Sequence, residues 1–263
     1  MGNILDRIVV DIKEKIEISK KRVPLNKLEE SPLFSRETIS VVKAFQMPEA
    51  SGVIAEFKRR SPSKGIINGE ADVVEVTRGY QAAGASAVSI LTNETFFGGC
   101  NEYLTAAREH LTIPIIRKEF IVDKYQITEA KAIGADFILL IAEILTATQV
   151  EDFTNYAHSL GLEVLMELHG EDQLSKINSH LDLIGINNRN LKNFEVDIER
   201  SIAMAKSLPS STIKVAESGL SDPQVALKMR ENGFSAFLVG EQFMKQEDPA
   251  LGCQKFCEVL ING

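Results

Sequence analysis

Short apolar runs and longer helical segments alternate along most of the chain. From residue 53 onward the runs are rich in valine and isoleucine, and the segments between them carry apolar residues at helical spacing. This alternation is typical of strand–helix units that build a parallel sheet. The predicted strands cover residues 53–57, 87–91, 114–116, 137–142, 163–166, 183–186, 213–216 and 236–239. Eight units in about 210 residues favour an α/β fold, the closed (β/α)8 TIM barrel, over an open doubly wound sheet, which usually has fewer strands and a glycine-rich dinucleotide motif.

The first 50 residues lie outside this count. Apolar residues recur there at helical spacing, at Ile4, Leu5, Ile8, Val9, Ile12 and Ile16. This pattern predicts an amphipathic helix over residues 4–19. We expect a single domain over residues 1–263, with a helical extension over 1–50 packed across one barrel mouth and the barrel itself over 51–263. The alternative is a helix that only plugs the bottom of the barrel or docks a partner.

Local signals mark the ends of two predicted helices. Residues 146–149 and 221–224 have the form of a capping box, with Thr146 and Ser221 in the first position. Gly161 and Gly233 stand where the helices that follow these boxes are expected to end. The local signals therefore agree with the strand–helix alternation.

Composition narrows the class of protein. The net charge is −8 and basic residues form only short clusters, such as residues 20–22, so no nucleic-acid partner is expected. No secretory signal and no stretch of about 20 apolar residues appears, so we expect a cytoplasmic protein without a membrane segment. Cys100, Cys253 and Cys257 form no CxxC pair, which gives a disulfide framework or zinc site little support, and Cys253 and Cys257 are expected to share one helix face. We expect no metal or cofactor, and a monomer or weak homo-oligomer.

Polar residues end five of the predicted strands. In a barrel, alternate strand residues point inward, and catalytic groups lie at the C-terminal ends of the strands. The residues predicted to surround one mouth are Glu56, Lys58, Lys118, Glu167, Asn187, Arg189 and Glu217. A single charge at a strand end often marks only where the chain reaches water. Since charges are rarely buried unless they are paired or functional, the whole set predicts a site for acid, base and anion chemistry.

Anion-binding positions follow the first, seventh and eighth predicted strands. Residues 61–65 form a Ser-Pro turn whose hydroxyls and amides can hold an oxyanion. Ser218 and Gly219 follow the seventh strand, and Gly240 and Glu241 follow the eighth. Phosphate sites in barrels often lie between these last two loops, where glycine lets backbone N–H groups approach the ligand. The alternative is that the glycines serve only tight turns.

Other catalytic sets have little support in the sequence. His169 follows Glu167 and is the only histidine predicted near the mouth. There is no HExxH motif, no Gly-x-Ser-x-Gly elbow and no Cys/His pair, so metal hydrolysis and acyl-enzyme chemistry are not indicated. Glu143 stays unassigned, because the pattern does not settle which face of its strand it takes.

The strings at the strand ends resemble the indole-3-glycerol phosphate synthase family. They are IAEFKRRSPSKG at 54–65, SILT at 89–92, RKEFIVD at 117–123, IGINNRNL at 184–191 and AESG at 216–219. The first string is highly specific, and the motifs run in the family's order over nearly the whole chain. The chain departs from the family's pattern at Glu119, where aspartate is usual, and at Asn93, where an acidic residue commonly stands. A third departure is the end of the fifth strand, which reads Glu167-Leu-His-Gly rather than Glu-Val-His followed by a polar residue.

The resemblance implies an enzyme that converts 1-(2-carboxyphenylamino)-1-deoxyribulose 5-phosphate, a phosphosugar–anthranilate substrate, to indole-3-glycerol phosphate with loss of carbon dioxide and water. It implies that Lys118 is the general acid of ring closure, and that Glu167 stabilises the cationic intermediate and later takes a proton. Lys58, paired with Glu56, would either hold the substrate carboxylate or protonate the leaving hydroxyl.

The same resemblance places Asn187 with Lys118, Glu167, Lys58 and Glu56 in the catalytic set and assigns the remaining residues, with Ser218 among them, to binding. Asn187 and Arg189 would orient the anthranilate end and the sugar hydroxyls, and Glu217 would act on a substrate hydroxyl. The phosphate would be bound by Ser61, Ser218, Gly219, Gly240 and Glu241, with the glycines and Glu241 acting through backbone amides.

Two other functions are compatible with a polar ring at the mouth of a barrel. In a Schiff-base lyase, Lys118 or Lys58 would attack a ketone covalently. A lysine among carboxylates tends to stay protonated, which favours an acid over a nucleophile. In a catalytically dead barrel kept as a scaffold, the polar ring would contain gaps, and none of its positions carries an inert residue.

Overall fold

A computed structural model describes residues 4–190 and 195–263. Eight parallel strands close into a barrel in which each strand pairs with its neighbours in chain order and the last pairs with the first. They are β1 (Val53–Phe57), β2 (Ala87–Leu91), β3 (Ile115–Lys118), β4 (Phe137–Ile141), β5 (Glu163–Leu168), β6 (Leu183–Asn187), β7 (Ile213–Glu217) and β8 (Ala236–Val239). The predicted TIM barrel is confirmed.

Several strands run further toward the mouth than the apolar pattern predicted. The predictions for β3, β5, β6 and β7 stopped before Lys118, Glu167, Asn187 and Glu217, yet all four residues belong to the strands. The hydrogen-bonded ladder continues through them, since Leu91 lies opposite Lys118 and Asn187 lies opposite Glu217. Pairing depends on backbone groups, so an inward-facing polar side chain does not end a strand.

Helices on the outside of the barrel follow most strands. They are α4 (Val73–Ala82), α5 (Glu94–Phe97), α6 (Asn101–Arg108), α7 (Lys124–Ala132), α8 (Ala147–Ser159), α9 (Ile198–Ala205), α10 (Pro223–Glu231), α11 (Glu241–Met244) and α12 (Pro249–Asn262), with a 3-10 helix at Glu171–Lys176 after β5. Two short segments, Arg60–Ser61 and Gly65–Ile66, pair as a hairpin after β1. Among the described helices, none combines the length and apolar character needed to cross a membrane.

One of the two predicted capping boxes is confirmed. Thr146 caps α8 and exchanges hydrogen bonds with Gln149 in both directions. The prediction for α10 was wrong by one residue, because Asp222 is the N-cap and accepts from the backbone N–H of Gln224. A proline at position 223 fixes the first helical residue and leaves Asp222 next to it.

The N-terminal extension contains three helices: α1 (Ile4–Arg22), α2 (Leu25–Glu29) and α3 (Val41–Gln46). The helix predicted over residues 4–19 is α1, and its residues Ile4, Leu5 and Ile8 line the cavity at the C-terminal mouth. The backbone N–H of Val41 donates to Glu163, the first residue of β5, and Val41 joins the apolar core inside the barrel. The extension therefore covers both ends of the barrel, and the bottom is closed by α3, a helix too short for the sequence pattern to predict.

A buried carboxylate fastens this extension to the barrel wall. Asp136, directly before β4, is fully buried and receives hydrogen bonds from the guanidinium groups of Arg36 and Arg108 at 2.8 and 2.7 Å. It also accepts from the backbone N–H groups of Ile39 and Ile115, both at 2.8 Å. These four hydrogen bonds offset the free-energy cost of burying the carboxylate.

Apolar side chains fill both layers of the fold. One core lies inside the barrel, and a larger one lies between the strands and the surrounding helices. Cys253 and Cys257 belong to the larger core and lie on one face of α12, with their sulfur atoms 3.8 Å apart. Their predicted shared helix face is confirmed.

Candidate active site

The C-terminal mouth of the barrel encloses a cavity of about 400 Å³. Every residue predicted to form the site lines this cavity: Glu56, Lys58, Ser61, Lys118, Glu167, Asn187, Arg189, Glu217, Ser218, Gly219, Gly240 and Glu241. The strand residues converge because barrel strands turn every second side chain inward. The other residues lie in the segments that follow β1, β6, β7 and β8 at the same end of the barrel. The predicted position of the set at one mouth is confirmed, whereas the role of each residue remains a prediction. Leu191, the last residue of one sequence string, lies outside the described residues.

The Lys118 side chain lies between two carboxylates on other strands. Its Nζ donates to Glu217 Oε2 at 2.7 Å and to Glu167 Oε2 at 3.3 Å. All three side chains are nearly inaccessible to solvent, with exposed fractions of 15%, 2% and 6% for Lys118, Glu217 and Glu167. The attraction is therefore weakly screened, and the ammonium is held toward the cavity centre.

Burial and charge act in opposite directions on the ionisation of these groups. Burial alone would lower the pKa of Lys118, but the carboxylates of Glu217, Glu167 and Glu56 outweigh it and raise the pKa above its ordinary value. Burial would likewise raise the pKa of Glu167, yet Lys118 and His169 hold it well below the usual range. Burial and the nearby Glu167 raise the pKa of Glu217 to about 7, although Lys118 opposes them. At neutral pH the site thus holds a protonated Lys118, an ionised Glu167 and a Glu217 carboxyl group that titrates in this range.

A second lysine–carboxylate pair lines the cavity at the end of β1, with Glu56 on the strand and Lys58 directly after it. The Lys58 Nζ donates to Glu56 Oε1 at 2.6 Å, and Ser89 on β2 donates to the other oxygen of Glu56 at 3.3 Å. Lys58 and Glu56 share a face because they are two residues apart in an extended segment. Gly240 makes room for this pair, since a Cβ there would lie 2.6 Å from Glu56 Oε1. The predicted pairing of Lys58 with Glu56 is confirmed.

The end of β6 contacts Glu167 and begins the next loop. Asn187 donates through its amide to Glu167 Oε1 at 2.9 Å and accepts from the backbone N–H of Arg189 at 3.0 Å. The Arg189 guanidinium lies 3.9 Å from a carboxylate oxygen of Glu241 and is partly exposed. Asn187 therefore orients Glu167, while Arg189 is placed at the rim.

Loops after β1, β7 and β8 bring backbone groups and hydroxyls to one side of the cavity. Ser218 and Gly219 adopt left-handed conformations with φ of 68° and 71°. Asn188, which is fully buried, donates to the Ser218 carbonyl at 2.8 Å and helps to hold this turn. Ser61 accepts from the backbone N–H of Lys64 at 3.2 Å and stabilises the turn after β1. A positive φ costs a serine more than a glycine, which is typical of a loop kept in one shape for binding.

The opposite side of the cavity is apolar. Its lining includes Leu91, Phe97, Phe120, Leu139 and Ile141, together with the first turns of α1. A mouth with one polar and one apolar side suits a ligand with an anionic end and an aromatic end. The sequence pattern did not reveal this wall, because these residues could not be told from ordinary core residues.

Gly185 is a site residue that the sequence interpretation missed. It lies on β6 opposite Glu167 of β5, and a Cβ at this position would overlap Oε1 of Glu217 and lie 3.3 Å from its Cδ. The missing side chain therefore provides the space in which the Glu217 carboxylate lies. The available signal was a glycine inside a strand, which often marks a close approach of another group.

Two of the three departures from the family's pattern, Asn93 and Glu119, contact each other. The side-chain amide of Asn93 donates to Glu119 Oε1 at 3.2 Å, and the Thr92 hydroxyl donates to the other oxygen at 2.9 Å. Asn93 also caps α5 by accepting from the backbone N–H of Phe96. A longer acid at one position is thus matched by a neutral amide at the other, which avoids placing two buried carboxylates side by side.

The structure shows where two further residues, Glu143 and His169, lie relative to the cavity. Glu143 is exposed and accepts from Gln173 on the 3-10 helix, so it lies outside the cavity lining. His169, noted only for its position, lines the cavity with its Nε2 2.8 Å from Glu167 Oε1. Among residues 4–190 and 195–263, no cluster of three histidine, cysteine or carboxylate groups is arranged to hold a metal ion.

Fold and site together are those of a TIM-barrel enzyme whose candidate active site, lined by lysines, carboxylates and glycine-containing loops, lies at the C-terminal mouth. The sequence profile of the family described as indole-3-glycerol phosphate synthase matches residues 5–256. The chain belongs to this family, which makes it a carbon–carbon lyase of tryptophan biosynthesis.

Individual relatives agree with this assignment. An indole-3-glycerol phosphate synthase of Bacteroides thetaiotaomicron is 45% identical over 99% of this chain and 100% of its own length. One from Campylobacter fetus is 43% identical over 93% of this chain and 95% of its own length. Among solved structures, 3-hexulose-6-phosphate synthase of Salmonella typhimurium superposes with a TM-score of 0.64 at 12% identity, covering 80% of this chain and 99% of its own. That likeness shows the fold alone.

Proposed function

We propose that the chain converts 1-(2-carboxyphenylamino)-1-deoxyribulose 5-phosphate to indole-3-glycerol phosphate by general acid–base catalysis. The observation that carries this proposal is the Lys118 ammonium, which lies within hydrogen-bonding distance of both Glu167 and Glu217 inside the cavity. One proton donor between two carboxylates supplies acid and base groups to the same substrate atoms.

The two sides of the cavity suggest how the substrate lies. Its phosphate would meet Ser61, the Ser218–Gly219 turn and the backbone N–H groups of Gly240 and Glu241. Its aromatic ring would lie against the apolar wall, with the ring carboxylate near Lys58 or Arg189. This orientation leaves the ketone over Lys118 at the centre.

Ring closure requires a proton at the ketone oxygen. As the aromatic carbon forms a bond to the carbonyl carbon, the carbonyl π electrons move to oxygen, and Lys118 Nζ supplies the proton. The raised pKa of Lys118 ensures that the ammonium is present at neutral pH. Asn187 and Arg189 would hold the substrate so that the carbon and the ketone meet.

Loss of carbon dioxide and water follows in the same cavity. The electrons of the breaking carboxylate bond neutralise the iminium of the closed ring, and the Glu167 carboxylate, kept ionised by Lys118 and His169, stabilises that cation beforehand. In the dehydration step Glu167 takes a proton from the ring carbon, while Lys58 protonates the leaving hydroxyl. Glu217 is placed to accept a hydrogen bond from a sugar hydroxyl.

The same geometry argues against a Schiff-base lyase. An amine attacks a ketone only when it has lost its proton. Lys118 keeps its proton because two carboxylates contact it, and Lys58 lies 2.6 Å from Glu56. Borohydride added with the substrate is therefore expected to trap no adduct on either lysine.

Paired variants test these roles. Lys118→Ala and Glu167→Gln are each expected to abolish turnover while inorganic phosphate still binds, as measured by calorimetry. Lys214→Ala is the matched control, since Lys214 is a buried strand lysine outside the cavity lining. Turnover retained by Lys118→Ala would overturn the proposed acid.

We further propose that the protein works in the cytoplasm as one domain, either as a monomer or a weak homo-oligomer, without a nucleic-acid partner. The contribution of α1 to the cavity lining supports a single unit of extension and barrel. The net charge of −8 supports the absence of a nucleic-acid partner. Sedimentation at several concentrations tests the oligomeric state.

A further inference from the structure

The His169 side chain lies in the cavity wall beside the proposed base. It follows the last residue of β5 and has an exposed side-chain fraction of 8%. Its Nε2 is 2.8 Å from Glu167 Oε1, but the contact lacks hydrogen-bond alignment, and neither ring nitrogen has a hydrogen-bond partner among the described residues. Buried polar groups without partners are uncommon in proteins, so this ring requires an explanation.

The His169 residue is anchored by a hydrogen bond of its backbone and not by its ring nitrogens. The backbone N–H of His169 donates to the side-chain oxygen of Gln173 at 2.8 Å, and Gln173, itself buried, donates in turn to Glu143. These contacts attach the start of the loop to the 3-10 helix that follows. Both ring nitrogens are thereby left free to act on neighbours in the cavity.

The charged groups that face the ring are mainly acidic. Glu167 comes from its own strand, Glu217 from β7 and Glu143 from the segment after β4. Lys118 lies at the other oxygen of Glu167, since it donates to Oε2 whereas His169 is near Oε1. Burial would lower the pKa of His169, but these carboxylates raise it above its ordinary value, so the imidazolium is favoured near neutral pH.

Lys118 cannot serve as the permanent counter-charge of Glu167. In the proposed function it gives its proton to the substrate during ring closure, and its positive charge is then lost. Without His169, Glu167 and Glu217 would then be buried together with no cation of the protein beside Glu167, at the moment when the cationic intermediate needs an ionised Glu167. His169 is the second cation beside the carboxylate, with its Nε2 2.8 Å from Glu167 Oε1, and it gives up no proton in that step.

We propose that His169 is a positioning residue whose imidazolium keeps Glu167 ionised and oriented after Lys118 has transferred its proton. This inference rests on the proposed function and deepens it. Lys118 loses its positive charge when it protonates the substrate, whereas His169 keeps its charge. The arrangement uses both oxygens of Glu167, with Asn187 as a neutral donor at Oε1.

The test is His169→Asn, which keeps a polar side chain but removes the charge. We expect kcat to fall on the order of tenfold to a hundredfold, with KM changed far less, because the interaction matters after binding. The acidic limb of the kcat profile should move to higher pH, since Glu167 has lost a cation. In the wild type, kcat should fall as pH rises through the pKa of His169, and this limb should be absent in the variant.

His158→Asn is the matched control. Its Nε2 lies 2.8 Å from Asp182 Oδ2, the same separation as in the His169 pair, but it is outside the cavity lining. This variant should leave kcat and its pH profile unchanged. A His169→Asn variant with wild-type kcat and an unmoved acidic limb would overturn the proposal.

A second measurement covers the case in which His169→Asn does not fold. The chain has four histidines, so their ring signals can be followed individually by NMR titration. One midpoint should lie above the ordinary histidine value and fall in Glu167→Gln; if no midpoint moves, the inference is wrong. A wild-type protein that forms no indole product would refute the proposed function instead, while the titration would still report on the His169–Glu167 pair.

Discussion

The space left by Gly185 provides a stringent test of how the site is built. In Gly185→Ala the new Cβ would overlap Glu217 Oε1 and contact Leu165 at 3.3 Å. Relieving the overlap requires the carboxylate to move by about 1 Å. Glu217 would then lose its 2.7 Å contact with Lys118.

The size of the effect follows from Coulomb's law. Separating the pair by about 1 Å more weakens their attraction by roughly 1.5 to 2 kcal/mol at the effective dielectric constant of about 20 that suits protein sites. If that loss is felt fully in the transition state, kcat/KM falls roughly 10- to 30-fold. The barrel should still form, because alanine is compatible with a strand.

The assay is the rise of indole fluorescence, measured for a cycle of single and double variants. In the Glu217→Ala background the carboxylate is gone, so adding Gly185→Ala should cost little further activity. Thermal unfolding of each variant controls for loss of fold. An equal fold-loss from Gly185→Ala in both backgrounds would refute the reasoning, because the damage would then not pass through Glu217.

Three other changes probe acid–base behaviour, anchoring and loop structure. Since the pKa of Glu217 is raised to about 7 and its carboxylate is the required form, kcat/KM should rise with pH through about 7, and Glu217→Gln should remove this step from the profile. Asp136→Asn leaves the guanidinium groups of Arg36 and Arg108 without their counter-charge and should lower the free energy of unfolding in urea by about 3 to 5 kcal/mol. The control is Lys27→Ala, which breaks the exposed Lys27–Glu30 pair and should change the free energy of unfolding by less than about 1 kcal/mol. Asn93→Asp would place a second carboxylate against Glu119 and should lower the melting temperature at pH 8 more than at pH 5, where protonation relieves the repulsion; equal losses at both pH values would contradict the contact.

The barrel and the position of the site could be predicted from the sequence because both depend on strong periodic signals. Val and Ile runs at regular intervals predicted the strands, and polar residues at their ends predicted the inward ring. Strand ends were placed too early at Lys118 and Glu167, since an apolar pattern stops at the first charge whereas the ladder does not.

The features that the sequence did not predict depend on contacts between segments that are distant along the chain. Helix α3 is only six residues long, and it is stabilised by the bonds to Glu163 and by burial of Val41 rather than by its own periodicity. Gly185 looks like any strand glycine until the neighbouring Glu217 is seen. The proposed role of His169 likewise depends on its distance to Glu167, which the spacing of the two residues along the chain does not reveal.

The most direct test of the account is the appearance of indole fluorescence after the carboxyphenylamino-deoxyribulose phosphate is added to the protein, without added metal or nucleotide. The chain contains no tryptophan, so it contributes no indole emission of its own. The account predicts a rise that saturates with substrate and is absent in Lys118→Ala. No rise at high protein concentration, with the substrate shown to be intact, would contradict it.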